Sequence, residues 1–169
     1  MATSLALRIA LSIAADLANS VDIGSVNYPL SYSPSYVFTD GTGASQAKEV
    51  ITDTRTLSAS ASEDLDLSGG FTDVFGNTVA FDKIKALIFV ADAGNSNDVV
   101  IGGAASNAVS TIFGATTHTI KLKPGGMIAL VAPDANGYDI TAATADLLKV
   151  ANGGAGSSVT YTIVAVGTV

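Results

Sequence analysis

Apolar and other residues take turns along most of this chain. Leu5, Leu7, Ile9, Leu11 and Ile13 alternate with Ala6, Arg8, Ala10 and Ser12. Successive Cβ atoms of an extended strand point to opposite faces, so this pattern predicts a strand over 5–13. The stretch from Phe81 to Asn107 predicts strand, polar turn and strand. Within it Ile84, Ala86, Ile88 and Val90 fall on one face, with Lys83, Lys85, Leu87 and Phe89 on the other. The two lysines predict that the second face begins in solvent. Asp92 to Asp98 are turn formers, and Val99 to Ile101 resume the sheet before Gly102 and Gly103.

The same grammar recurs. Lys48–Leu57 predicts a strand with Val50, Thr52, Thr54 and Thr56 on one face. Leu65 and Leu67 open a strand that should stop at Gly69-Gly70. Phe71–Phe81 predicts a corner with Gly76-Asn77 at its tip and three phenylalanines plugging the core. His118, Ile120 and Leu122 share a parity, Met127–Ala132 predicts a central strand, and Leu147–Val150 and Val159–Val166 close the chain. Ala142–Leu148 is the one helical candidate. VVIGGAASNA and LLKVANGGAG echo each other, which is too little for a repeat architecture. Short strands with frequent Gly/Asn/Asp turns predict an all-β fold, an antiparallel β-sandwich or jelly roll with little or no helix.

One segment departs from this pattern. Asp16–Ser25 predicts a turn-rich connection, and VNYPLSYSPSYVFTDGTG follows it. Tyr28, Leu30, Tyr32, Pro34, Tyr36 and Phe38 share one parity, opposite Pro29, Ser31, Ser33, Ser35 and Val37. Pro29 and Pro34 forbid a central strand, which leaves an edge strand on its own sandwich or an arm laid across a neighbour. Tyrosine-rich faces are favoured at interfaces. Tyr28, Tyr32, Tyr36 and Phe38 are therefore the expected interface anchors. The organisation read from the sequence is an N-terminal strand and Tyr/Pro/Ser-rich arm or edge strand over 1–40, then a sandwich over 41–169.

Composition narrows the function. The 169 residues carry 8 Lys+Arg against 15 Asp+Glu, a formal net charge of −7, so no basic patch for nucleic acid is expected. No cysteine is present, which removes disulfides, thiolate metal sites and thiol nucleophiles. Arg8 interrupts the apolar run of MATSLALRIALSIAADLANS, which argues against a signal peptide, and no apolar run is long enough for a transmembrane helix.

Catalytic chemistry finds little to work with. His118 is the single histidine, no Gly-x-Ser-x-Gly elbow accompanies it, and its parity predicts a structural role. One His without Cys leaves the usual zinc sets unfilled. DAGNSND and PDANGYD offer oxygens, but neither has the spacing of a calcium loop, and turns explain them. GGAASN lacks the Lys-Ser/Thr of a phosphate loop, so its glycines imply close backbone approach. No catalytic, cofactor-binding or metal-ligating residue is assigned, and no enzyme is expected.

LDLSGGFTDVFGNTVAFDKIKAL, VVIGGAASNA, KPGGMIALVAPDANGY and DLLKVANGGAGSSVTY, from Leu65 to Tyr161, resemble uncharacterised virion structural proteins of tailed bacteriophages. TDGTGASQAKEVITDTRTL fits the same pattern. The resemblance implies a virion protein, made in the host cytoplasm and similar to capsid decoration (cement) proteins. Such a protein would sit on the outer capsid surface as a homotrimer or other homo-oligomer bound to the major capsid protein. It would bind neither nucleic acid nor membrane. A tail, neck or fibre-base component is the alternative within the virion, and a receptor- or carbohydrate-binding sandwich is the alternative outside that class. The absence of Trp counts against a sugar platform.

Overall fold

The computed structural model describes residues 4–169, so the first three positions of the 1–40 segment lie outside the described residues. Within them the chain is all β. Its strands are β1 (Ala6–Ala10), β2 (Ile13–Val21), β3 (Gly24–Tyr32), β4 (Ser35–Asp40), β5 (Gln46–Ala47), β6 (Glu49–Leu57), β7 (Ser62–Asp66) and β8 (Ser68–Thr72). They continue as β9 (Thr78–Ala80), β10 (Lys83–Ala91), β11 (Val99–Gly102), β12 (Thr119–Leu122), β13 (Met127–Val131), β14 (Tyr138–Asp139), β15 (Leu147–Asn152) and β16 (Val159–Thr168).

Two antiparallel sheets form the sandwich. One has the order β13-β10-β16-β6, with the short β14 also beside β10, and the other β12-β11-β15-β7. Between them Leu87, Phe89, Tyr161 and Ile163 pack with Val99, Ile101, Leu148 and Val150 in one apolar core. The β8–β9 hairpin adds Phe71 and Val79, and Phe81 follows them into the core. Phe75, the third phenylalanine expected there, is 71% exposed at the hairpin tip. The echo segments are neighbours: β11 and β15 pair from Val99↔Asn152 to Ile101↔Val150.

The alternation expected along β10 holds only in halves. Ile84 pairs with Gly167 and Ala86 with Val166, so Lys85 is the extra residue of a bulge. A bulge reverses the parity that follows it. Ile84 therefore faces the core together with Leu87 and Phe89, while Ala86, Ile88 and Val90 turn to the other face. Lys85 does not begin a solvent face. It is fully buried, and its ammonium donates to the backbone carbonyls of Gly43, at 3.4 Å, and Asp134.

Other boundaries shift for local reasons. Met127–Val131 is an edge strand, half exposed, because it pairs with β10 on one side and with no described strand on the other. The sheet does not stop at Gly69-Gly70; a bulge between Ser68 and Phe71 carries β8 through them. Ala142–Leu148 is not helical: Thr141–Ala145 closes a tight turn with Ala143 at φ 59°, and β15 starts at Leu147.

The N-terminal quarter builds a two-stranded ribbon rather than one strand and a loop. β1 pairs with β4 from Ala6↔Thr39 to Ala10↔Ser35, and β2 pairs with β3 from Ile13↔Tyr32 to Val21↔Gly24. Both pairings keep the same register, and between them the Leu11 N–H donates to the Pro34 carbonyl at 3.1 Å. The segment expected as a connection, Asp16–Ser25, is thus mostly strand, with only Asp22 and Ile23 in the turn.

Candidate functional site

Directly opposed residues of an antiparallel pair project on the same side. In the β2–β3 hairpin one side is therefore Ile13, Ala15, Leu17, Asn19 and Val21 with Tyr32, Leu30, Tyr28 and Val26. The other is Ala14, Asp16, Ala18 and Ser20 with Ser31, Pro29, Asn27 and Ser25. The first side is apolar apart from Asn19, and the second is small or polar. Every residue of both strands is exposed. Nine residues per strand at about 3.4 Å each make an arm about 30 Å long.

The base of the same ribbon is buried. Leu5, Leu7 and Ile9 pack with Phe38, Ala47, Ala86, Val131, Val164 and Val166 in a second, smaller core. Ala86, Val131, Val164 and Val166 lie on the face of the β13-β10-β16-β6 sheet that points away from the sandwich interior. The ribbon thus covers one end of that face. Leu7 opposes Phe38 and Ile9 opposes Tyr36, on the side of the ribbon that continues outward as the arm's apolar face.

The four expected anchors therefore separate. Tyr28 and Tyr32, 68% and 58% exposed, lie on the arm's apolar side. Tyr36 is at the ribbon's root and only partly free. Phe38 is fully buried and corrects the reading: it fastens the arm to its own sandwich and offers nothing to a partner. Leu17, Val26 and Leu30 belong to the candidate surface, and the sequence reading missed them as anchors. Leu30 already shared the parity of the tyrosines and Val26 opened the same segment, whereas Leu17 fell in the stretch that Asp, Asn and Ser made read as a connection.

Beyond the ribbon's base the outer sheet face continues uncovered. Its rungs run Ala129, Ile88, Val164, Thr52 and then Met127, Val90, Thr162, Thr54. Met127 and Val90 are exposed apolar residues. Thr54 and Thr56 pair hydroxyl to hydroxyl with Thr162 and Thr160 at 2.8 and 2.9 Å. No ionised side chain stands on these rungs.

The histidine and the turn carboxylates hold local backbone. His118 is exposed just before β12 rather than buried on the strand's apolar side, and its Nδ1 lies 2.8 Å from the Phe113 carbonyl. Asp134 Oδ1 accepts from the backbone N–H of Asn136 and Gly137 at 2.9 and 2.7 Å, and these bonds hold its pKa below the ordinary value. Asp92 Oδ1 likewise accepts from the Gly94 N–H at 2.7 Å. These carboxylates cap turns. Among the described residues no three His, Cys, Asp or Glu side chains group to hold a metal, and no helix is long and apolar enough to cross a membrane. A cleft lined by Gly103, Ser106, Asn107, Thr116 and Thr119 offers neutral polar groups only. The close approach expected of the GGAASN glycines is seen at Gly102, where a Cβ would stand 2.5 Å from the His118 carbonyl oxygen.

One partly buried polar network spans the sandwich. Tyr161 donates its hydroxyl to Glu63 Oε1 at 2.7 Å, and Arg55 donates to Glu63 Oε2 at 2.7 Å and to Asp53 Oδ2 at 2.8 Å. The Arg55 guanidinium also lies 5.5 Å from the centre of the Phe71 ring. Burial, and then the bond to Glu63, raise the Tyr161 pKa far above the ordinary tyrosine value. The Tyr161 hydroxyl ties β16 to β7 through Glu63, and Arg55 brings β6 into the same network.

No protein family, curated protein or solved structure was found to match the chain.

Proposed function

We propose that the chain is a structural protein of a tailed-bacteriophage virion that decorates and stabilises the capsid lattice, with a mechanical rather than catalytic role. The observation that carries the reading is the arm: a β-sandwich has extended about 30 Å of two-stranded ribbon with one apolar side left uncovered. Exposed apolar surface of this kind is costly in a free chain and is kept where assembly covers it. The resemblance of Leu65–Tyr161 to tailed-phage virion proteins gives the assembly its kind. The expected partners are the major capsid protein and further copies of the chain, a homotrimer in the simplest case. Linked copies that each touch a capsomer convert modest contacts into high avidity.

The test is a copy count of the chain in purified particles against the major capsid protein. About one chain per capsid subunit, or one trimer per local three-fold, is the result expected of a multivalent surface layer. A small fraction of that number would move the protein to the neck, tail or a vertex. No association with particles would overturn the virion reading.

A further inference from the structure

We infer that the arm's apolar face docks on a second copy of this chain, on the uncovered part of the outer face of its β13-β10-β16-β6 sheet. One chain already makes such a contact within itself. The root of the ribbon places Leu7, Ile9 and Phe38 against Ala86, Val131, Val164 and Val166 of that face. The register does not change between root and arm, so Leu17, Tyr28, Leu30 and Val26 prolong the same side. The sheet face is prolonged too, by Ile88, Val90, Ala129 and Met127. Each molecule therefore holds an unused length of both partners of a contact that it already makes.

The two surfaces match in chemistry. Neither carries an ionised group: Asp16 lies on the arm's opposite side and Asp22 at its tip. Bringing them together therefore desolvates no charge. The arm face, about 30 Å by about 10 Å, covers on the order of 300 Å², within the range of the largest and often functional apolar patch on a monomer. The arm does not lie on its own uncovered sheet face: every residue of β2 and β3 is exposed, while the root in line with them is pinned. Exchange between copies closes as a two-fold pair or as a ring, each arm lying on the next sandwich.

This inference shares with the proposed function only the reading of the arm as a contact, and it is tested on the purified full chain with no particle present. Sedimentation at about 50 µM, well above a micromolar Kd, compares three proteins. Wild type is expected as a dimer or trimer. An arm variant, Leu17→Ser with Tyr28→Ser, is expected as a folded monomer. A face variant, Val90→Asp with Met127→Asp, is also expected as a folded monomer, with its near-ultraviolet circular dichroism unchanged. Mixing the two variants restores association, because one supplies an intact face and the other an intact arm. A monomeric wild type, or variants that stay oligomeric, would overturn the inference, as would a mixture that stays monomeric. None of these results depends on the copy count in particles.

Discussion

Leu17 and Tyr28 stand directly opposite each other on the arm, on the same side of the ribbon, and remain 72% and 68% exposed. Cross-strand apolar pairs of this kind are the unit that normally stabilises a sheet by burial. Here the pair covers only itself. Both residues can therefore be replaced by Ser with little loss of stability, within about 0.5 kcal/mol as for other exposed sites. Thermal unfolding of the double variant should match wild type when both are compared as monomers.

Phe38 behaves in the opposite way despite sharing the parity of Tyr28, Tyr32 and Tyr36. It is fully buried in the smaller core, so Phe38→Ala should cost about 3–5 kcal/mol. The loss should be local at first: hydrogen exchange should speed up across β1 and β4 before the sandwich strands are affected.

Gly167 sits opposite the bulge at Lys85. A Cβ there would lie 2.2 Å from the Lys83 carbonyl oxygen and 2.7 Å from Phe81 Cδ1. Backbone is on one side and a core ring on the other, so neither can yield cheaply. Gly167→Ala should destabilise by about 3 kcal/mol or more, read as a fall in the urea midpoint.

Tyr161→Phe removes one bond to Glu63 and leaves a partly buried carboxylate oxygen without its donor. The expected cost is about 1–2 kcal/mol at neutral pH. The pH dependence has a definite sign. The folded pKa is raised, so the unfolded chain releases this proton first, beginning near the ordinary tyrosine value of 10.0. Wild-type stability should be flat with respect to this group below that pH and fall above it, and the fall should be shallower in Tyr161→Phe. Denaturant melts at neutral and alkaline pH check both statements.

Much of the sandwich was legible because period-two alternation survives wherever one face is buried. Val50, Thr52, Thr54 and Thr56 do share the outer face of β6, and β16 runs where the terminal apolar run placed it. The errors have physical causes. Lys85 reads as solvent-facing, but a bulge turns it inward onto two carbonyls, and a bulge leaves no composition signal of its own. Asp16 to Ser25 reads as loop because Asp, Asn and Ser are poor strand formers, yet β2 pairs with β3 through most of it. The candidate surface was half visible. Tyr28 and Tyr32 stood out by type, while Leu17 and Val26 could be assigned to it only once the register was known.

The most direct measurement is the occupancy of purified particles by the arm variant, Leu17→Ser with Tyr28→Ser, relative to wild type. If the arm joins copies into a multivalent layer, its loss should reduce occupancy at least tenfold, which corresponds to about 1.4 kcal/mol of lost avidity. Equal occupancy by a variant that folds normally would contradict the account.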